Sequence, residues 1–305
     1  MLRFIVRRLG LAALVALTVS AISFGLLFMS GDPAAALAGE TAGAEDIETL
    51  RRVYGFDRPV LVQYWEWLTG ALRGDFGESY YFKLPVSDLI AERLSVTMTL
   101  GVLGISFALL TAVPLGVAAA IRPNSLVDRV ALFLSVAGQA MPSFWFGLIL
   151  IVIFTIELGL LPASGSESWV HFIMPTVVLG YYAMPAIMRL TRTGMLEVLS
   201  SDYIRTARAK GAGERRVLFK HALRNAIIPV VSLAAVQMGF MLGGSIVVES
   251  IFALHGAGFL AWESIARNDL PTVQALILVF SGFYIVFTFL ADVLNAWLDP
   301  RMRTG

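Results

Sequence analysis

The sequence predicts an all-α integral membrane protein with six transmembrane helices, both termini cytoplasmic and a large extracytoplasmic loop after the first span. Three observations carry that expectation. Hydrophobic residues make up 57% of the chain and charged residues only 15%, with a mean hydropathy of +0.77, whereas a soluble domain devotes about a quarter of its residues to charge. Six windows are apolar over the roughly 20 residues that a helix needs to cross about 30 Å of hydrocarbon: residues 9–29, 96–121, 130–156, 172–190, 227–248 and 273–296. The basic residues are sorted, 16 of 23 lying in the N-terminal segment, alternate connections and the C-terminal segment, which the positive-inside rule makes cytoplasmic.

In chain order, Arg3, Arg7 and Arg8 precede the first window. A cleaved leader would share that basic start, but the uncharged run that follows exceeds the about 7 to 15 residues of a signal core, so it is read as a retained span. Residues 1–29 then form an anchor, 30–95 an extracytoplasmic loop, and 96–305 a five-span core. The loop carries more acids than bases and is punctuated by Gly31-Asp32-Pro33, Asp57-Arg58-Pro59 and Gly74-Asp75-Phe76-Gly77, which are turn signals. Between them Leu61, Tyr64, Trp65, Leu68 and Leu72 recur at helical spacing, predicting an amphipathic helix on the bilayer surface or on the chain's own spans.

Polar groups within spans must face a pore or another helix. Gln139 in the third window and Gln237 in the fifth are the candidate pathway residues, with interhelical hydrogen bonding as the alternative for each. Asp292 is expected to pair with a cytoplasmic arginine. Gly239 and Gly243 have the spacing of a close helix contact, and Pro175 and Pro185 are expected to curve the fourth span.

The cytoplasmic loop 191–226 is the densest basic segment. Ser201 or Asp202 is a plausible N-cap, Tyr203 to Lys210 spans about two turns, and Gly211 with Gly213 supplies a left-handed stop. So short a helix is unstable alone, so it must dock. Ile204 and Ala207, at i and i+3, are expected to face a partner's groove together, with Arg205, Arg208 and Lys210 pairing with acids on its rim. From Glu214 a second helix leads toward Pro229. Between the last two windows, the segment holding Phe252, His255 and Gly256 reads as a surface turn before a short amphipathic helix.

The residues from Asp202 to Val231 resemble the cytoplasmic loop of binding-protein-dependent ABC transporter permeases, in the dipeptide, oligopeptide and nickel branch that includes glutathione permeases. Ala207, Gly211 and Leu223 match the second Ala, the Gly and the Leu of the general Glu-Ala-Ala, three residues, Gly, nine residues, Ile-x-Leu-Pro pattern. Arg205, Thr206, His221 and Arg224 depart from it, and the run Arg-Thr-Ala-Arg-Ala-Lys-Gly is similar to the peptide branch instead. The loop motifs above, Gly243-Gly244-Ser245 with Glu249, and the terminal Leu298-Asp299-Pro300-Arg301 resemble that branch in the same order.

The resemblance implies that 203–211, with Asp202 before it, is a coupling helix gripped by a separate ATPase. It further implies a second homologous permease, two ATP-binding subunits holding ATP and Mg, and an extracytoplasmic substrate-binding protein for which Phe252, His255 and Gly256 form a candidate docking loop, with membrane lipid around them and no nucleic acid. The peptide branch points to di- and oligopeptides as cargo, with glutathione, nickel chelates and other small solutes as alternatives. No phosphate-cradling G-x-x-x-x-G-K-[ST] loop, H-E-x-x-H or G-x-S-x-G occurs, so this chain is expected to bind no cofactor and to catalyse nothing. The absence of cysteine excludes disulfides and thiol chemistry. A gradient-driven carrier would instead show inverted repeats and ionisable residues mid-span, neither of which is evident; a non-transporting scaffold would leave the pathway residues incidental.

Overall fold

The computed structural model describes residues 2–29, 32–38 and 42–298. Gly31 of the first turn signal, Asp299-Pro300-Arg301 and Arg303 lie outside the described residues. Within them the chain is helical, with one isolated bridge, Glu78 to Pro85. The elements are α1 (Leu2–Met29), α2 (Pro33–Ala38), α3 (Ala44–Val53), α4 (Val60–Ala71), α5 (Val86–Ile121), α6 (Leu126–Ala140), α7 (Ser143–Leu150), α8 (Ile173–Leu199), α9 (Asp202–Ala209), α10 (Glu214–Arg216), α11 (Arg224–Ala226), α12 (Ile228–Ile251), α13 (Ala257–Ala266) and α14 (Leu270–Leu298). Wider π-type turns extend α7 from Ile151 to Glu157 and join α10 to α11 through Val217–Leu223.

Among the described residues, five helices are long and apolar enough to cross a membrane: α1, α5, α8, α12 and α14. The expected third span is not one straight helix. α6 and α7 meet at a bend of 105°, because Pro142 has no N–H to continue the ladder and forces Met141 into extended backbone. Counted as one broken span, the pair makes six. The fourth span, in contrast, runs unbroken through Pro185 and continues past its apolar window to Leu199.

α5 and α8 form the most intimate pair. Glycine permits their approach: a Cβ on Gly180 would lie 2.6 Å from the Gly104 carbonyl oxygen, and one on Gly116 would lie 2.8 Å from the Met188 oxygen. Around them Leu100, Ala108, Val178, Ile187, Met188 and Leu242 are buried, so the core lies along the α5/α8/α12 axis. α1 stands at the periphery against α14. There Arg8 pairs with Asp292 at 3.0 Å, as expected for that carboxylate, and Ser232 hydrogen-bonds Asn295. These contacts bring the start of α1, the start of α12 and the finish of α14 to one end of the bundle, here the basic end.

The predicted amphipathic helix forms as α4 and packs on α1. Tyr64 and Ser20 share a hydrogen bond of 2.8 Å, and Phe24 lies edge-on to Tyr64. Leu68 turns inward, while Leu61, Trp65 and Leu72 stay exposed.

Candidate functional site

At the basic end, α9 is a short helix held across the ends of α5 and α8. Its N-cap is Ser201, whose backbone is extended, but the Ser201 hydroxyl donates back to the Val198 carbonyl instead of capping. The C-terminus is closed fully. Gly211 adopts φ +81°, its N–H reaches the Arg208 carbonyl at 2.9 Å, and the Ala212 N–H reaches the Ala207 carbonyl at 3.1 Å. That paired pattern needs a left-handed residue, which glycine adopts without steric cost. Gly213 plays a different part from the one expected, since its φ is −63° and it caps α10.

The expectation that Ile204 points into a partner's groove is wrong. Ile204 is 0% exposed and sits with Val117, Ala120, Met195, Val217 and Ala222 of its own chain. An apolar side chain beside an apolar cleft of its own protein gains about 1.5–3 kcal/mol by filling it, which anchors a helix too short to persist alone. Ala207 is half-buried beside it. The outward face is therefore polar: Asp202, Arg205, Arg208, Lys210 and Gly211 are exposed, and Tyr203 is 43% exposed.

Side-chain contacts stiffen this platform. Arg208 grips Glu214 with two nitrogens at 2.8 and 3.2 Å, and its guanidinium holds the Glu214 carboxyl below the usual carboxylate range. Asn225 donates to the Tyr203 hydroxyl at 2.8 Å and to the His221 carbonyl at 3.2 Å. Below α9, Arg192 of α8 binds buried Asp128 of α6 through two bonds of 2.6 and 2.8 Å. The Asn124 N–H at 2.9 Å completes that carboxylate's shell. Packing thus joins α9 to α5 and α8, and the Arg192 pair joins α8 to α6.

The two pathway candidates are not brought together. Gln237 lines an open-sided cavity of 620 Å³ bordered by α1, α7, α8, α12 and α14, alongside Ser143, Tyr182, Phe240 and Tyr284. Gln139 is not among the residues lining that cavity; its amide oxygen accepts from Arg189 at 3.1 Å, and the same Arg189 nitrogen reaches Ser135 at 3.0 Å. Gly239 lies hard against Tyr284, where a Cβ would meet the ring at 2.9 Å, while Gly243 opens onto the cavity with no neighbour within 4 Å.

At the opposite end, the candidate docking loop also needs correction. Phe252 is 1% exposed and wedged against Gly147, and Gly256 is buried, so neither is free to touch a partner; of the three only His255 is exposed. Two clasps that the sequence reading did not find hold this end. Buried Asp269 accepts from Ser79, the Tyr80 N–H and Thr272 at 2.6, 2.8 and 2.7 Å. Buried Glu249 accepts from Thr97 and the Phe259 N–H at 2.8 and 2.9 Å. An acid at the edge of an apolar window was the available signal for each, but Ser79, Tyr80 and Thr97 lie too far along the chain to be paired with them from sequence.

The architecture is that of a multi-pass helical bundle with a cavity open on one side and a basic platform packed on α5 and α8. Two family models match in succession, the N-terminal part of a binding-protein-dependent transport system membrane component over residues 1–101 and the binding-protein-dependent transport system inner membrane component over 112–304. The chain is 41% identical over 304 residues to the glutathione transport system permease protein GsiC of Salmonella choleraesuis (strain SC-B67) and 40% identical to GsiC of Escherichia coli (strain K12), covering 99% of both partners in each case. Among solved structures it is similar to an inward-facing form of the MetNI methionine ABC transporter, at a TM-score of 0.56, 18% identity and coverage of 69% of this chain and 96% of that one. An amino acid ABC transporter crystallised with histidines follows at a TM-score of 0.51, 16% identity and coverage of 70% and 94%. The chain belongs to the binding-protein-dependent transport system inner membrane component family: it is a multi-pass, non-catalytic permease subunit of an ABC importer, and ATP hydrolysis takes place on separate subunits.

Proposed function

We propose that this chain forms, with a second similar permease, a translocation pathway for short peptides, glutathione among them, and that α9 couples the pathway to two ATP-hydrolysing subunits. The observation that carries the coupling assignment is the construction of α9: one buried anchor, a closed C-terminus and an exposed basic face backed directly by spanning helices. Positive-inside sorting supports placing this basic end, with both termini, in the cytoplasm and the acidic segment after α1 outside. The proposed division of the chain stays an anchor over 1–29, an extracytoplasmic loop over 30–95 and a five-span core over 96–305.

Closure of the ATPases around ATP and Mg moves the two coupling helices together. Because α9 sits on α5 and α8, and Arg192 ties α8 to α6, that displacement is transmitted to helices around the cavity as a two-state rocking. Gln237 then offers a polar contact to substrate in an otherwise largely apolar lining. A binding protein delivers the substrate at the opposite end and sets most of the specificity. The resemblance of 41% over the full length to a glutathione permease supports a peptide-class cargo.

The test is ATP-driven uptake of labelled glutathione and dipeptides into proteoliposomes holding the complete transporter and its binding protein. Uptake of either, competed by the other peptide but not by free amino acids, is expected. Uptake confined to nickel chelates or amino acids would refute the peptide assignment.

A further inference from the structure

We propose that Glu249 is a positioning residue for transport, setting the outer loop and the first turns of α13 in the orientation that receives the loaded binding protein. The proposal rests on assigning that end of the bundle to the binding protein, as above.

The carboxylate lies at the last turn of α12, fully buried. Removing such a charge from water costs several kcal/mol unless its lone pairs are filled, and an apolar residue would pack there without that cost. The donors are specific. Thr97 of α5 gives its hydroxyl proton to Oε1 at 2.8 Å, and the Phe259 N–H of α13 gives to Oε2 at 2.9 Å. The same Thr97 oxygen accepts from the Ala257 N–H at 2.8 Å, which fixes the direction of its proton. One acidic group therefore joins three helices.

Two glycines are explained by the carboxylate. A Cβ at Gly256 would stand 2.4 Å from Oε2, and one at Gly258 would stand 2.9 Å from the carboxyl carbon. The chain wraps the acid so closely that no side chain fits. Between them the loop is held from both sides: the Leu254 N–H reaches the Glu249 carbonyl at 2.9 Å, and the Phe252 carbonyl accepts from Gly165 at 3.1 Å. What this clasp presents outward is an aromatic row. His255 meets Phe259 at 5.5 Å, Phe259 meets Trp262 at 5.6 Å, and Trp262 is 51% exposed. Phe259, whose N–H the carboxylate holds, is the middle of that row.

Glutamine is nearly the same size but fits less well: turned to accept from the Phe259 N–H, its NH2 faces Thr97 Oγ1 and the Thr97 hydroxyl proton loses its acceptor. The test uses the complete transporter in lipid and measures ATP hydrolysis against the concentration of substrate-loaded binding protein. Glu249→Gln and Thr97→Val are each expected to raise the half-saturating concentration about tenfold, the effect of leaving one buried donor or acceptor unmatched. Thr97→Ser, which keeps the hydroxyl, stays within about twofold of wild type, and the maximal rate changes by less than about twofold in all three. If Glu249→Gln does not assemble, the Thr97 pair decides. Wild-type half-saturation in an assembled Glu249→Gln or Thr97→Val transporter, or a lower maximal rate at unchanged half-saturation, overturns the positioning role. A wild-type transporter indifferent to its binding protein overturns instead the assignment of this end, and the proposal with it.

Discussion

Replacing Ile204 with alanine tests how α9 is held. Ile204 is the one fully buried residue of an eight-residue helix, filling a cleft between α5, α8 and the wide turn at Val217. An isolated helix of that length has no stability of its own in water, so the free energy holding it folded is mostly docking energy. Truncating a buried isoleucine to alanine costs about 2–5 kcal/mol, and a mid-range loss of about 3 kcal/mol raises the open population about a hundredfold. Amide hydrogen exchange of the protein in lipid reads this directly at Arg205 to Lys210. Exchange there should accelerate about a hundredfold in Ile204→Ala, while amides in the middle of α12 stay protected. Arg205→Ala removes only an exposed side chain with an i,i+3 pair to Asp202, and should change exchange by no more than about twofold. Acceleration below about fivefold in Ile204→Ala would show that α9 is not anchored by this residue and would refute the docking argument.

Gly211 at φ +81° should tolerate asparagine with a small loss of coupled uptake but not valine, because β-branched side chains pay most in left-handed backbone; equal uptake in the two variants would argue against a closed α9 terminus. Asp128→Ala leaves Arg192 without its two carboxylate bonds and should cost about 3–5 kcal/mol, seen as a lower melting temperature in lipid. Replacing both partners with apolar residues of similar volume should recover most of that loss. Gly180→Val should block assembly of a stable chain, since its side chain would enter the Gly104 carbonyl, whereas valine at Gly243, which faces open space, should leave the melting temperature unchanged.

What the sequence made legible follows the strength of each physical signal. Apolar length located the five long helices and, as a single window, the bent pair α6 and α7, and the pairing of Asp292 with a basic-end arginine followed from the cost of a charge near lipid. The α9 boundaries were readable because Ser201 and Gly211 punctuate the two ends. Orientation was harder. Ile204 has the same helical spacing whether its cleft belongs to a partner or to its own chain, and only the fold shows Val117 and Met195 waiting for it. The break at Pro142 was masked because the two halves together are apolar enough to pass as one window. Thr97 and Glu249 are 152 positions apart, and Ser79 and Asp269 are 190 apart; such pairs are set by topology and leave no local pattern.

The chain has no cysteine, so single cysteines report accessibility without a mutated background, and labelling them tests most directly whether α9 is the surface gripped by the ATPase. Arg205, with 74% of its side chain exposed, and Arg208, with 43%, supply the test positions, and Ile265 at the opposite end, 61% exposed, supplies the control. Maleimide labelling of Arg205→Cys and Arg208→Cys is predicted to be fast in the isolated chain and strongly suppressed in the complex with its ATPase subunits, while Ile265→Cys labels equally in both. Labelling of the α9 positions that is unchanged by the ATPase subunits would contradict coupling through this helix.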